Sequence, residues 1–386
     1  MTRAPFRLPV ALAVGSACAP VPRDAADYRC ETTASTHPAA SELDAALAAS
    51  AEEHELPGIV VAARTPLGTW SGAAGHADIA LGVAMSRCQR LPAFSVTKTA
   101  VATAALRLVD EGRLDLDAPV SQVLDAHTQR GLANIERVTL RQLLGMRSGI
   151  PDYVDIDFSL AGFDQPRRPI PWRTALDQVR GRRALFAPDA DVRYSNTNLL
   201  VVAEVIEAVS GRAHEDLVAE LLLTDLPDTT YVPDETSFPG VARGYLDVYG
   251  SGRLVDATEL ALNEVGPDSG LVSDAPGLVA LFDAVLRDGA VLSPTLVDAM
   301  GAGREDTERW YGLGVNLDEP LGRSAIGHRG DGFGYKAAVW FLPDDDITFV
   351  ALANGSSIRE VDGNLSQRVV AAREAVLEAV LSVRDR

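Results

Sequence analysis

Phe94-Ser95-Val96-Thr97-Lys98 opens an apolar segment of the chain whose spacing predicts a helix. Residues three apart on a helix share a face, so the Ser95 hydroxyl and the Lys98 amine are expected to meet. Lys98 is one of only two lysines among 35 basic residues, the other being Lys336. Arginine stays protonated, whereas a buried lysine amine can lose its proton. The pair therefore predicts a serine nucleophile with a lysine base, although compositional bias explains scarce lysine equally well.

Two further runs carry groups that such a pair requires. They are Tyr194-Ser195-Asn196 and Gly327-His328-Arg329-Gly330-Asp331. A phenol beside a lysine ammonium can pass protons, and an asparagine amide offers a donor and an acceptor to an amide substrate. Glycines permit close approach of a ligand to the backbone, and a free backbone N–H can stabilise an oxyanion. Taken singly, each run is more often a packing, capping or loop segment.

Length and charge limit the classes of function. The 386 residues suffice for one large domain or two ordinary ones, and the 47% hydrophobic content is that of a folded globular protein. The net charge of −19 argues against a nucleic-acid partner and against unaided binding to an anionic bilayer. A small-molecule or peptide substrate is therefore the expected partner.

The amino terminus resembles a targeting segment. A basic start, a short apolar run and small residues predict a signal segment over residues 1–19, and hence a secreted or cell-envelope protein. Cys18 stands where a lipoprotein signal has its acylated cysteine, but Gly15 replaces the usual leucine, so a lipid anchor on the membrane is the lesser alternative. In an oxidising compartment Cys30 and Cys88 can form a disulfide, which we prefer over two unpaired thiols.

Apolar periodicity predicts strands near both ends of the chain and helices between them. This pattern favours a sheet built from distant segments, with a helical region inserted and an active site in the cleft between the two parts. The expected helices cover residues 41–51, 95–109, 199–209, 278–286 and a closing segment with Val369, Val376, Leu377 and Val380 on one stripe. The expected strands cover residues 58–63, a partner through Trp70, and a hairpin of 337–342 and 347–352.

The three runs together resemble the motifs of the penicillin-recognising serine hydrolases in order and rough spacing. The tyrosine in the second run and the histidine in the third resemble the class C β-lactamase-like branch, and within it the secreted serine D-alanyl-D-alanine carboxypeptidases. Residues 143–153 are also similar to that family's stretch between the first two motifs, and the likeness spans residues 40–380. The resemblance implies a single α/β (α+β) domain over residues 40–386. Its antiparallel sheet, flanked by terminal helices, would cover about 40–94 and 290–386, and an all-helical part would cover about 95–289.

The resemblance also implies roles for individual residues. Ser95 would be the acylated nucleophile, Lys98 its proton acceptor and Tyr194 a proton relay, while His328 would take the place of the third-motif cation and tune Tyr194. Substrate contacts would come from Asn196 to the amide carbonyl, from Gly330, and from an oxyanion hole formed by the backbone N–H groups of Ser95 and Asp331. No cofactor or metal is implied.

Arg329 departs from the family pattern, which usually has threonine or serine at this position to contact the terminal carboxylate of the substrate. Arginine can bind a carboxylate as a two-pronged donor, but it can equally fill the space or point to solvent on the opposite face of the strand. D-alanyl-D-alanine carboxypeptidase is therefore the expected activity. An esterase or β-lactamase with the same serine is the alternative, and a non-catalytic penicillin-binding or sensor protein is the more distant one.

Overall fold

The computed structural model describes residues 24–384 except 33, 156, 159–161, 163–169, 232–239, 262–265, 304–309 and 360. The predicted signal segment, residues 1–19, and Cys18 lie outside the described residues. Within the described part of the chain, no helix is both long enough and apolar enough to cross a membrane.

Antiparallel pairing dominates the sheets. The strands are, in chain order, β1 (Gly58–Thr65), β2 (Gly68–Asp78), β3 (Val83–Ala84), β4 (Leu91–Pro92), β5 (Thr230–Tyr231), β6 (Tyr245–Asp247), β7 (Leu254–Asp256), β8 (Leu271–Ser273), β9 (Asn316–Asp318), β10 (Ala325–Gly332), β11 (Tyr335–Leu342), β12 (Ile347–Ala353) and β13 (Gly355–Ser357). The central sheet has the order β3-β2-β1-β12-β11-β10-β9, and two three-stranded sheets have the orders β4-β8-β5 and β13-β6-β7. Residues from both ends of the chain thus meet where β1 pairs with β12, which confirms the predicted sheet of distant segments.

The helices confirm most of the periodicity predictions. They are α1 (Ala40–Glu53), α2 (Thr97–Asp110), α3 (Ala126–Gln129), α4 (Leu140–Leu144), α5 (Trp172–Asp177), α6 (Thr197–Ser210), α7 (His214–Val218), α8 (Thr258–Ala261), α9 (Ala275–Phe282), α10 (Pro294–Gly301) and α11 (Leu365–Val383). Helix α6 ends at Gly211, whose φ of 71° is the left-handed conformation that glycine adopts without strain. Helix α9 is followed by a wider π-helical turn at Asp283–Arg287.

Side-chain alternation along the central strands separates two cores. On β1, Val60 and Ala62 contact the helical region, whereas Ile59, Val61 and Ala63 face the terminal helices α1 and α11. Alternate residues of a strand point to opposite faces, so a strand that is covered on both faces has a continuous run of apolar residues in its sequence. This explains why residues 58–63 lack a polar alternation, and why the predicted stripe of α11 is buried against the sheet.

The inserted region is not all-helical, which corrects one detail of the expected fold. Strands β5 to β8 lie within it, in the two small sheets. Each has only two or three residues, too few to give a period-two pattern that sequence reading can recognise. In addition, α9 packs against β1 and β12 of the central sheet.

Cys30 and Cys88 form the preferred disulfide, with their Cα atoms 5.9 Å apart. Cys30 belongs to the segment that precedes α1, and Cys88 to the loop between β3 and β4. The bond therefore fastens the amino-terminal segment to the body of the domain.

Candidate active site

Ser95 lies in a short 3-10 turn, Phe94–Val96, that leads into α2. Phe94 directly before it has a φ of 47°, a conformation that is uncommon for a non-glycine residue. The first turn of α2 then brings Lys98 beneath the serine, and Lys98 Nζ donates a hydrogen bond of 2.9 Å to Ser95 Oγ. The structure thus brings together the two groups that their three-residue spacing predicted.

Lys98 is completely buried. Its Nζ donates to the carbonyl oxygen of Asp268 at 3.0 Å, lies 3.7 Å from Asp268 Oδ2, and lies 5.0 Å from the centre of the Tyr194 ring. A buried ammonium without partners is costly, so the carbonyl and the carboxylate are what allow it to be charged here. The proximity of Tyr194 agrees with its predicted place beside the lysine.

Asp268 is an ionisable group of the site that sequence reading missed. It is 3% exposed, and both of its carboxylate oxygens accept hydrogen bonds of 3.1 Å from the Tyr153 hydroxyl. Burial raises the pKa of Asp268, while the charge of Lys98 acts in the opposite direction. Nothing in the sequence around Asp268 marks a motif, because the packing of its loop against α2 is what makes it part of the site.

The second motif precedes α6 as expected. The backbone N–H and the side-chain Nδ2 of Asn196 donate hydrogen bonds of 3.0 Å to the two carboxylate oxygens of Asp152. Asp152 is largely buried, and this burial raises the pKa of its carboxyl group. One N–H of the Asn196 amide is therefore engaged by Asp152, which orients the amide for its predicted contact with a substrate carbonyl.

Aromatic rings surround Tyr194. Its ring centre lies 5.8 Å from that of Tyr311, 6.4 Å from that of Trp310 and 6.4 Å from that of His328. Trp310 and Tyr311 were not predicted as site residues. They directly precede the Gly312-Leu313-Gly314 turn, in which Gly314 has a φ of 75° and packs against α2. These glycines are the signal in the sequence that could have indicated a close approach here.

His328 stands in the place of the third-motif cation, but its ring is neutral. It is 1% exposed, and burial together with the charge of Lys98 lowers the pKa of His328 to about 3. Its Nδ1 lies 2.6 Å from the carbonyl oxygen of Arg329 and its Nε2 lies 2.9 Å from the Tyr311 hydroxyl. The neutral ring is thus held between a backbone carbonyl and a phenol, and its centre lies 6.4 Å from that of Tyr194, the residue it was predicted to tune.

Arg329 lies on the exposed side of β10. Its guanidinium forms an ion pair of 3.2 Å with Asp318, and its side chain remains 51% exposed. Its backbone N–H donates to Asn316 Oδ1 at 2.9 Å. Arg329 nevertheless lines the cavity beside Ser95, so its side chain faces solvent at the rim of the site, and its contact with a substrate carboxylate stays a prediction.

Two glycines of β10 allow this strand to lie against the turn that carries Ser95. A Cβ atom at Gly330 would lie 2.1 Å from the carbonyl oxygen of Ala93, and one at Gly332 would lie 2.1 Å from the Phe94 ring. Asp331, between the two glycines, is therefore held next to Ser95, as an oxyanion hole from their two backbone N–H groups requires. The Asp331 side chain points outward and forms an ion pair with Lys336.

These side chains enclose a cavity of about 410 Å³. A volume of this size suits a small substrate or a short peptide. The predicted residues Ser95, Tyr194, Asn196, His328, Arg329 and Asp331 all line it, together with Phe94, Tyr153, Val154, Asp268, Ser269, Trp310 and Asn316. One wall carries the positive charge of Arg329, and the floor carries the Lys98–Asp268 pair.

A second group of ionisable side chains lies outside this cavity. His214 Nδ1 is 2.8 Å from a carboxylate oxygen of Glu207 and 2.8 Å from one of Glu215. Although burial opposes it, these two hydrogen bonds raise the pKa of His214. Arg173 adds a further positive charge beside Glu207. The two carboxylates thus share Nδ1 of His214, whereas its Nε2 is buried without a hydrogen-bond partner among the described residues.

The fold and the site define a serine hydrolase of the β-lactamase and transpeptidase type. The family model described as Beta-lactamase matches residues 43–372, and the chain belongs to this family. Expectations of fold class and superfamily are thereby confirmed.

Several similar proteins have names that refer to D-amino-acid substrates. The D-aminopeptidase of Brucella anthropi is 25% identical over 294 residues, which are 72% of this chain and 52% of that protein. A D-stereospecific amidohydrolase from a Streptomyces species has a TM-score of 0.74 with 26% identity, covering 87% of this chain and 98% of the other. The D-amino acid amidase of Ochrobactrum anthropi SV3, solved with L-phenylalanine amide, has a TM-score of 0.76 with 22% identity, covering 89% and 99%. The chain spans about half the length of the curated relatives it matches.

Proposed function

We propose that this serine hydrolase cleaves an amide bond whose carbonyl belongs to a D-amino-acid residue, by way of an acyl-enzyme on Ser95. The observation that carries the proposal is the buried Lys98 amine, 2.9 Å from Ser95 Oγ at the floor of a cavity. Relatives named for D-amino-acid substrates support the stereochemistry, since the D-aminopeptidase and the amidohydrolase both act on such compounds by name.

In the proposed reaction, Lys98 takes the proton of Ser95 Oγ as this oxygen attacks the substrate carbonyl. The backbone N–H groups of Ser95 and Asp331 hold the negative oxygen that forms. Tyr194 passes a proton to the departing amine, and a water molecule later releases the acyl group by the same steps in reverse order. Each of these residues lines the cavity or lies directly beneath it.

Within this reaction class we propose a D-alanyl-D-alanine carboxypeptidase as the first candidate. Arg329 supports it, because an exposed guanidinium at the cavity rim can bind the free carboxylate of a departing D-alanine. The second candidate is a D-aminopeptidase or D-amino acid amidase, which releases an amino-terminal D-residue. It is favoured by the names of the relatives.

Five substrates separate the candidates: an acyl-D-Ala-D-Ala peptide, D-alanine amide, L-alanine amide, a short-chain ester and a chromogenic cephalosporin. We expect D-alanine release from the peptide, and a preference of at least tenfold for the D-amide over the L-amide. Preferred turnover of D-alanine amide would select the second candidate. Turnover of the ester alone, or equal turnover of both amides, would overturn the proposal.

Ser95→Ala tests the nucleophile directly. The variant should lose all activity and fail to form the covalent adduct that mass spectrometry of the intact wild-type protein detects after penicillin treatment. Ser210→Ala, at the exposed end of α6, is the matched control and should form the adduct as the wild type does. An equal adduct on wild type and Ser95→Ala contradicts the assignment.

A further inference from the structure

Lys98 and Asp268 form a buried pair of ionisable groups whose use the proposed reaction leaves open. Lys98 is 0% and Asp268 3% exposed, and Nζ lies 3.7 Å from Oδ2. An unpaired charge in such a place is costly, so the two groups are either both charged or both neutral. Both states contain the same single proton, which resides on the amine in one and on the carboxyl group in the other.

The groups around Lys98 and Asp268 do not favour a state in which only one of the two is charged. The Tyr153 hydroxyl donates to both oxygens of Asp268, and the Asp152 carboxyl group adds negative potential. The Tyr194 ring lies on the other side of Lys98, and His328 is neutral there. Ser95 Oγ and the Asp268 carbonyl accept from the lysine. Among the described residues that face the pair, none supplies a second positive charge that could replace the shared proton.

We propose that Lys98 and Asp268 share one proton and act together as the base that activates Ser95. Asp268 is then a positioning residue that acts through Lys98. This inference rests on the proposed function, because it requires Ser95 to be the nucleophile. Sharing of the proton with Asp268 explains how Lys98 can accept a proton at neutral pH without first releasing its own proton to solvent.

The proton balance is as follows. A small rotation of the Asp268 side chain closes the 3.7 Å gap, and the lysine proton moves from Nζ to Oδ2, which leaves a neutral amine. The Ser95 O–H bond then breaks as the bond from Oγ to the substrate carbonyl carbon forms, and its proton goes to Nζ. The pair now holds two protons, and one of them passes through Tyr194 to the departing amine when the C–N bond breaks.

The pair and a lone lysine differ in their dependence on pH. In the wild type, activity is lost at low pH when a second proton binds, and that proton binds to a carboxyl group. Without Asp268, activity is lost when the amine itself is protonated. An amine ordinarily binds its proton at about pH 10.4 and an aspartate at about pH 3.9, and burial raises the pKa of Asp268 above that ordinary value.

The test is the pH profile of kcat/KM for Asp268→Asn, measured on D-alanine amide or on the acyl-D-Ala-D-Ala peptide. We expect the acidic limb to move upward by more than about one pH unit, which lowers kcat/KM at pH 6 at least tenfold, with recovery at alkaline pH. An unchanged profile overturns the proposal, and so does an equal loss of activity at every pH, because that is what misplacement of Lys98 alone produces.

Tyr153→Phe keeps the inference testable if Asp268→Asn does not fold. It removes the hydroxyl that stabilises the Asp268 carboxylate but keeps the pair, so the acidic limb should move upward by a smaller amount. An unmoved limb in this folded variant contradicts the shared proton. Ser95→Ala distinguishes failure of the proposed function from failure of the shared-proton inference. If this variant stays active, the proposed function fails. If it is inactive but the Asp268 and Tyr153 variants keep the wild-type profile, only this inference fails.

Discussion

The Tyr311 hydroxyl donates a hydrogen bond to Nε2 of His328 across 2.9 Å, while Nδ1 of the same ring lies 2.6 Å from the Arg329 carbonyl oxygen. A backbone carbonyl can only accept, so Nδ1 carries the single ring proton and Nε2 accepts from the phenol. The family motif therefore contributes a neutral, fixed imidazole in this protein. Through these two hydrogen bonds the ring links the backbone of β10 to Tyr311.

Tyr311→Phe should weaken this arrangement without changing the packing of the ring. The loss leaves Nε2 of His328 buried without its donor, at a cost of about 1–3 kcal/mol in the free energy of unfolding. We also expect kcat/KM to fall about tenfold, or ~1.4 kcal/mol, because β10 carries Asp331. Urea unfolding and steady-state kinetics measure both. Tyr249→Phe, on a side chain that is 58% exposed, is the control, and wild-type stability of Tyr311→Phe would contradict the role.

His328 should also make the fold sensitive to acid. Burial and the charge of Lys98 lower the pKa of His328 to about 3, whereas an unfolded histidine titrates near pH 6.5. Between these values the unfolded chain binds the proton more readily, so stability falls as the pH falls below about 6.5. His328→Asn should therefore lose less stability than the wild type between pH 7 and pH 4.5 in denaturant titrations. His127→Asn, at an exposed position, should not alter the slope.

Gly332→Ala should damage the site through the Phe94 ring. The new Cβ would lie 2.1 Å from a ring atom, so β10 must move away from the turn that carries Ser95. We expect kcat/KM to fall at least about a hundredfold, or ~2.7 kcal/mol, through the displaced Asp331 N–H. Gly112→Ala, which meets open space at a φ of 68°, costs only about 1 kcal/mol of stability and should keep full activity. Comparable activity of the two variants would refute the contact.

Arg329→Ala separates recognition of a carboxylate from the chemistry itself. If the guanidinium binds the terminal carboxylate, KM for the acyl-D-Ala-D-Ala peptide should rise about tenfold, as a charged hydrogen bond of ~1.5 kcal/mol implies. Turnover of D-alanine amide should not change. Asp318→Asn, which removes the competing carboxylate at 3.2 Å, should shift KM for the peptide in the opposite direction. Equal effects on both substrates would exclude carboxylate binding by Arg329.

The Cys30–Cys88 disulfide should contribute to stability and not to activity. It closes a segment with a sequence separation of 58 residues, for which loop entropy gives at most about 4 kcal/mol. Neither cysteine lines the cavity of Ser95. The double variant Cys30→Ser with Cys88→Ser should therefore melt at a lower temperature with an unchanged kcat/KM, and dithiothreitol should affect only the wild type. Export from the cell, predicted from residues 1–19, stays a prediction.

The longer helices and strands could be predicted directly from the sequence. The predicted helix at residues 199–209 lies within Thr197–Ser210, and the predicted hairpin of 337–342 and 347–352 lies within β11 and β12. Other parts of the protein cover one or both faces of each of these elements. Such covering leaves a regular pattern of apolar residues in the sequence. The two- and three-residue strands β5 to β8 leave none, and for that reason the inserted region was expected to be all-helical.

The sequence predicted which residues form the site better than it predicted their protonation states. Ser95, Lys98, Tyr194, Asn196 and Asp331 stand around one cavity as their motifs indicated. The neutral state of His328 could not be predicted, because residue type does not reveal that a ring is 1% exposed and bonded at both nitrogens.

The sequence alone determined that Ser95 and Lys98 meet, because a spacing of three residues on one helical turn brings two side chains together whatever surrounds them. Only the tertiary structure decided what this lysine can do. Asp268 is 170 residues away along the chain from Lys98, and it meets the amine only because its loop packs against α2. The protonation state of a buried group depends on all charges and dipoles that the fold places around it. A local sequence pattern does not specify these surroundings.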